Sequence, residues 1–141
     1  MAVIIDIADA VVATLNAGTF SQAFTAERHY LPRFELPDLA TLRVSVVPKG
    51  ITSQALDRKR DQNDYRIDVA VQHKAGIDLA TFDALMNLVE EIGDYLQATP
   101  LVGYPQARVF DMVNEPIYAP EHIDEFRAFT SVMTFTYRVW R

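Results

Sequence analysis

The stretch FRAFTSVMTFTYRVW, residues 126–140, decides the fold. It holds no Gly and no Pro and is dense in Thr, Val, Phe, Tyr and Trp, which suit a pleated, half-buried surface. Side chains alternate across a strand, so Phe129, Ser131, Met133, Phe135, Tyr137 and Val139 share one face. Thr130, Val132, Thr134, Thr136 and Arg138 take the other. We expect this to be the longest and most central strand of a sheet. Its apolar face needs cover, which helices on one side of the sheet supply.

Upstream of it, Pro120-Glu121-His122-Ile123-Asp124 reads as one helical turn, with Pro at the position where a missing amide costs nothing. Residues 106–114 read as a strand with Val109 and Val113 opposite Phe110 and Met112. Before that, residues 78–98 form an amphipathic helix capped by Asp78, with Leu79, Phe82, Leu85, Met86, Val89, Ile92 and Leu96 on one face. Residues 64–74 alternate most clearly, with Tyr65, Ile67, Val69 and Val71 against Arg66, Asp68, Ala70 and Gln72. The start of the chain reads as a helix over residues 3–17, stopped by Gly18, followed by a strand over residues 19–30. Pro32 and Pro37 make residues 31–38 an extended connector. A further strand runs over residues 41–47 and stops at Pro48-Lys49-Gly50, and the polar segment 51–63 reads as a long loop. The predicted order is helix, three strands, helix, two strands. That is an α+β fold: a mainly antiparallel five-stranded sheet with both helices on one face and the second helix available as a crossover.

The 141 residues suit one domain spanning 1–141, large enough to bury roughly 70% of its unfolded surface. With no cysteine, disulfide frameworks, thiolate zinc sites and cysteine nucleophiles are excluded. No segment has the ~18 to 20 apolar residues needed to span a bilayer. The apolar N-terminus lacks a positive start and is interrupted by Asp6 and Asp9, so a cytoplasmic protein is the default expectation.

The formal charge of −6 argues against gripping nucleic acid, whose affinity comes mostly from neutralised phosphates. The charge is also uneven. Residues 75–107 hold no Lys or Arg but carry Asp78, Asp83, Glu90, Glu91 and Asp94, whereas residues 28–74 hold nine bases and six acids. Opposed patches suit copies docking head to tail, although solvated surface charge explains the acidic one as well. The candidate interface residues are Asp57, Arg58, Lys59, Arg60 and Asp61 in the polar segment, Glu90, Glu91 and Asp94 on the second helix, and Arg138 on the last strand.

Catalytic motifs are absent. There is no phosphate-cradling glycine loop, no HExxH and no GxSxG. His29, His73 and His122 lie far apart and read as surface residues rather than metal ligands. Carboxylate pairs such as Glu90 and Asp94, or Glu121, Asp124 and Glu125, fall on faces expected to be wet, where nothing perturbs them for acid–base work. No catalytic residue, metal or cofactor is expected.

Several stretches together resemble the tail-terminator (tail-completion) proteins of long-tailed bacteriophages and prophages. They are LNAGTFSQAFTAERHYLP after the opening helix (residues 15–32), DYRIDVAVQ (64–72), LMNLVEEIGDYL (85–96) and YAPEHIDEFRAFTSVMTFTYR (118–138). The resemblance is one of order, size and style across nearly the whole chain. It implies a non-enzymatic virion protein, assembled in the host cytoplasm, that forms a ring, usually six-fold. Such a ring caps the tail tube, halts its polymerisation and meets the neck or head-completion proteins, with DNA only passing through the lumen. The alternatives are a head-completion or connector adaptor of the same neck, a small enzyme in which His73, His122 and nearby acids share a deep pocket, and a module that binds peptides along an open sheet edge.

Overall fold

A computed structural model describes residues 2–29, 42–55, 58, 61–74, 79–114 and 128–140. The elements are α1 (Val3–Ala17), β1 (Ala26–Arg28), β2 (Arg43–Ala55), β3 (Asp61–Lys74), α2 (Leu79–Ala98), β4 (Arg108–Val113) and β5 (Ala128–Trp140). The five strands form one sheet in the order β1-β2-β3-β5-β4. All neighbours are antiparallel except β1 and β2, which are parallel, so the sheet is mixed. β3 and β4 both run opposite to β5, and α2 is therefore the crossover between two parallel strands with β5 inserted between them.

α1 forms where the sequence places it. Ile7, Ala8, Val11 and Leu15 recur at helical spacing and are fully or almost fully buried. Asp6 sits in the first turn, where the helix dipole favours an acid, and the Gly18 amide closes the last turn on the Leu15 carbonyl at 3.2 Å. α2 buries Leu85, Leu88, Val89, Ile92 and Leu96 in the same core. Both helices cover one face of the sheet, against Val44 and Val46 of β2, Tyr65, Ile67, Val69 and Val71 of β3, and Phe129, Met133, Phe135, Tyr137 and Val139 of β5. Each large aliphatic or aromatic side chain taken out of water this way stabilises the fold by roughly 1.5–3 kcal/mol.

Several expectations are corrected. The longest and central strand is β3, with 14 residues, and β5, with 13, lies fourth in the sheet. β3 is central because residues 61–63 extend it and because it pairs along its length with both β2 and β5. Residues 19–25 are not a strand. Their aromatics are used sideways: Phe20 stacks against Phe24 at 5.2 Å and edge-on against Tyr95 of α2 at 5.1 Å. Only β1 pairs, and the Asn16 side chain marks its start by accepting from the Ala26 amide at 2.8 Å and donating to the Ala26 carbonyl at 3.2 Å.

β2 does not stop at Pro48-Lys49-Gly50 but runs through it with a register shift between Pro48 and Gly50. Proline is tolerated there because β1 pairs with β2 only as far as Val46. Beyond that point one side of β2 has no strand partner among the described residues, so a missing amide there breaks no ladder. Much of the expected loop 51–63 is consequently strand: Ile51 pairs with Tyr65, Ser53 with Asn63 and Ala55 with Asp61. In β4 a second register shift, between Val109 and Asp111, returns Met112 to the side of Val109. Val109 and Met112 pack on the core while Phe110 and Val113 are exposed, unlike the simple alternation expected. The connector at 31–38, the Asp78 cap and the turn at 120–124 lie outside the described residues.

Candidate functional site: the outer sheet face, its edges and the acidic helix

The side chains of the strand that decided the fold alternate as expected, and its outer face is laced to its neighbours. Cross-strand pairing sets Asp64 beside Arg138, and the guanidinium donates to both carboxylate oxygens, Nε at 2.9 Å and Nη2 at 3.2 Å. The same guanidinium lies 3.4 Å above the Phe110 ring. Arg138 is thus held within its own sheet, between an acid and an aromatic face, a geometry that suits the planar group and not a lysine. Further along, the Thr134 hydroxyl donates to Asp68 at 2.7 Å, with the Lys49 ammonium 3.8 Å from the same carboxylate. Arg66 donates to the Thr52 hydroxyl at 2.9 Å. Toward the other end this face is closed to solvent at Ser45, Ala70, Gln72 and Thr130.

The end of the sheet near residue 55 is built differently. Residues 51–55 of β2 are all exposed, on both faces, and form an arm beyond the cover of the helices. Among the large apolar side chains left exposed are Ile51 on the arm, Phe110 and Val113 on β4, and Trp140 at the end of β5. Of the candidates in the polar segment, Arg58 is exposed, and Asp61 is exposed opposite Ala55; Asp57, Lys59 and Arg60 lie outside the described residues.

The outward side of α2 carries the acidic candidates. Glu90 and Asp94 are exposed, and Glu91 is half-buried, accepting the Ser21 hydroxyl at 2.5 Å and, more weakly, its amide at 3.4 Å. These acids line an open groove of about 790 Å³ with His73, Gln22 and Asn87. His73 therefore shares a groove with acids, but the His122 of the enzyme alternative lies outside the described residues. Among the described residues no three acids or histidines are grouped to hold a metal ion.

A smaller cavity of about 400 Å³ lies where α2 ends and β4 begins, lined by Leu96, Thr99, Pro100, Arg108, Val109 and Tyr137. The Tyr137 hydroxyl is buried there without a hydrogen-bond partner among the described residues. Burial pushes its pKa well above the ordinary tyrosine range. A tyrosine in the unfolded chain titrates near ~10. Below that pH both states hold the proton; above it the unfolded state loses the proton first, so stability falls as pH rises. Tyr137→Phe is expected to melt no lower than wild type at neutral pH and to lose less stability between pH ~10 and ~11. Thermal melts across that window check both. A steeper alkaline loss in the variant would contradict the buried, protonated hydroxyl.

The sequence pointed to charge; the polar residues 51–55 and 61–63 carry no alternation that would have marked the arm. The Asp64–Arg138 pair joins residues far apart in the chain and became visible only with the pairing register.

No protein-family model and no curated protein matches the chain. Among solved structures, a chain of the virion of native gene transfer agent (GTA) particle is similar at a TM-score of 0.66 and 19% identity, covering 99% of this chain and 98% of that one. The sheath/tube terminator of an extracellular contractile injection system, PVC, in the extended state aligns at a TM-score of 0.45 and 17% identity, covering 98% of this chain and 56% of that one. The first likeness extends over the full length of both chains and shows a shared fold.

Proposed function

We propose that the protein is a structural component of a phage-like tail, a terminator that closes the tail tube as an oligomeric ring and contributes to the head–tail junction. The observation that carries this reading is the fold shared end to end with a chain of a virion particle, 99% of one and 98% of the other, in a sequence that independently resembles tail terminators. The reading asks for surfaces rather than an active site. A closed ring needs two different patches on each subunit. The segment holding Asp57, Arg58, Lys59, Arg60 and Asp61 offers a mildly basic patch, and Glu90, Glu91 and Asp94 an acidic one. Arg138, held by Asp64, fixes the exposed Phe110 ring on β4. The partners are further copies, the tail-tube protein and a neck protein, and a net charge of −6 lets DNA pass without a counterion-driven grip.

Native mass spectrometry over a range of concentrations, with electron microscopy of the largest species, tests this. A closed ring with a central hole is expected, either free or after addition of purified tail tubes. A chain that stays monomeric and ignores the tubes overturns it.

A further inference from the structure

We propose that copies of this chain join edge to edge, the arm at residues 50–55 of β2 pairing antiparallel with β4 of the neighbouring copy so that one sheet continues around the assembly. The inference deepens the ring reading above and rests on it.

Both edges are open among the described residues. β2 has a partner on its outer side only as far as Val46, and β4 pairs only with β5. Open edges are usually guarded by charge, proline or cover. The arm has none of these: Ile51, Thr52, Ser53, Gln54 and Ala55 carry no charge, include no proline and are exposed throughout. On the opposite edge β4 leaves Phe110 and Val113 exposed. The only large apolar side chain of the arm, Ile51, shares its row with Tyr65 and Tyr137, and that row ends at Val109 on β4. A neighbouring arm laid against β4 at that level continues the row with a second Ile51. It would also cover the partly buried Val109 and Met112 on the helix side.

The polarity follows from the registers. Within one copy β2 is antiparallel to β3, β3 to β5 and β5 to β4, so β2 and β4 run in opposite directions. Rotation about a ring axis leaves each strand's direction along that axis unchanged. The arm of the next copy therefore meets β4 antiparallel. Two different edges in contact make a head-to-tail interface, the kind that builds a ring when the rotation between copies closes, and not a two-fold dimer. The antiparallel sense carries the arm's tip, with exposed Arg58, past Arg108 toward the end of α2. The last turn of α2 holds no base, and its carbonyl end attracts cations.

The absence of cysteine makes the test clean. Thr52→Cys and Gln54→Cys are each combined with Arg108→Cys, Asp111→Cys or Val113→Cys, all exposed positions. Within a copy the two edges are three strand spacings apart, about 14 Å at ~4.8 Å each. A disulfide needs Cα atoms within about 7 Å, so any bond formed joins two copies. Mild oxidation of rings verified by native mass spectrometry is expected to give, for at least one pair, a ladder above dimer on non-reducing gels. The ladder should collapse with reductant, and single variants should give dimer at most. With Ile51 level with Val109, Thr52→Cys should bond best to Arg108→Cys, and moving the arm cysteine to 54 carries it past Arg108, so that bond should weaken with no gain at Val113→Cys. A shift toward Val113 means a parallel junction and overturns the proposal. Intact rings with no ladder from any pair overturn it while leaving the ring reading standing. A wild-type chain that neither forms rings nor binds tail tubes removes both.

Discussion

The variant Phe135→Ala is expected to lose about 3–5 kcal/mol of stability, the usual cost of deleting a buried aromatic whose space cannot refill. Phe135 is 0% exposed in the middle of β5, opposite Ile67 of β3 on one side and Met112 of β4 on the other. Its ring lies 6.3 Å from that of Tyr137. Three strands therefore lose contacts at once, and α2 loses part of the surface it covers. A domain with roughly 5–15 kcal/mol in total would be left marginal. The next residue, Thr136, points to the outer face and is half-buried, so Thr136→Ala should cost under about 1 kcal/mol. Urea unfolding followed by circular dichroism gives both numbers. If the two variants unfold at the same denaturant concentration, the division of β5 into a core face and an outer face is wrong.

That division was legible because it rests on a short-range rule. Alternation over residues 129–139, and again over residues 65–71, needs no knowledge of what lies opposite. Helical spacing is equally local, and Ile7, Val11 and Leu15 located α1 to the residue. What escaped the sequence depended on partners. Phe20 and Phe24 read as strand residues by type, but Tyr95 sits where Phe20 can meet it edge-on, and the backbone there follows the aromatics rather than a ladder. Pro48 read as a stop, yet a proline at an unpaired edge breaks nothing. The bulge after Val109 shifts one residue and turns Phe110 outward, and no local propensity marks it.

The candidate surfaces divide in the same way. The acidic outward side of α2 was legible, since charge at helical spacing opposite an apolar stripe belongs outside. The role of Arg138 was not: it reads as an exposed cation until the register places Asp64 beside it and the bulge brings Phe110 beneath it. The most informative region was hidden by its polarity. Residues 51–55 lack the apolar periodicity that marks a strand, because an arm beyond the helix layer has nothing of its own to bury. An uncharged, exposed strand with an open side is understood only when the sheet is seen to end there.

Thr14→Val is expected to cost about 1–3 kcal/mol, although valine keeps the shape of the side chain. Thr14 is 0% exposed; its hydroxyl donates to the Ala10 carbonyl at 2.7 Å and accepts from the Val102 amide at 2.9 Å. Valine removes the acceptor and leaves that amide, part-buried against α1, without a partner. The Tyr95 hydroxyl donates to the Thr14 carbonyl at 3.2 Å, so α1, α2 and the connection to β4 converge on one residue. That connection turns at Gly103, whose φ of 86° is left-handed and costs other residues strain, and it buries Leu101 to 2% exposure. Thr14→Ser keeps the hydroxyl and should recover most of the loss, which chemical denaturation will show. Amide exchange at Val102 should accelerate in Thr14→Val well beyond the change at core amides such as that of Val69. The same loop sets the position of β4. If β4 is the edge that receives a neighbour's arm, Thr14→Val should raise the protein concentration needed for assembly, though Thr14 lies far inside the subunit. Unchanged assembly in a variant whose Val102 amide exchanges faster would mean that the loop is free to move without moving β4.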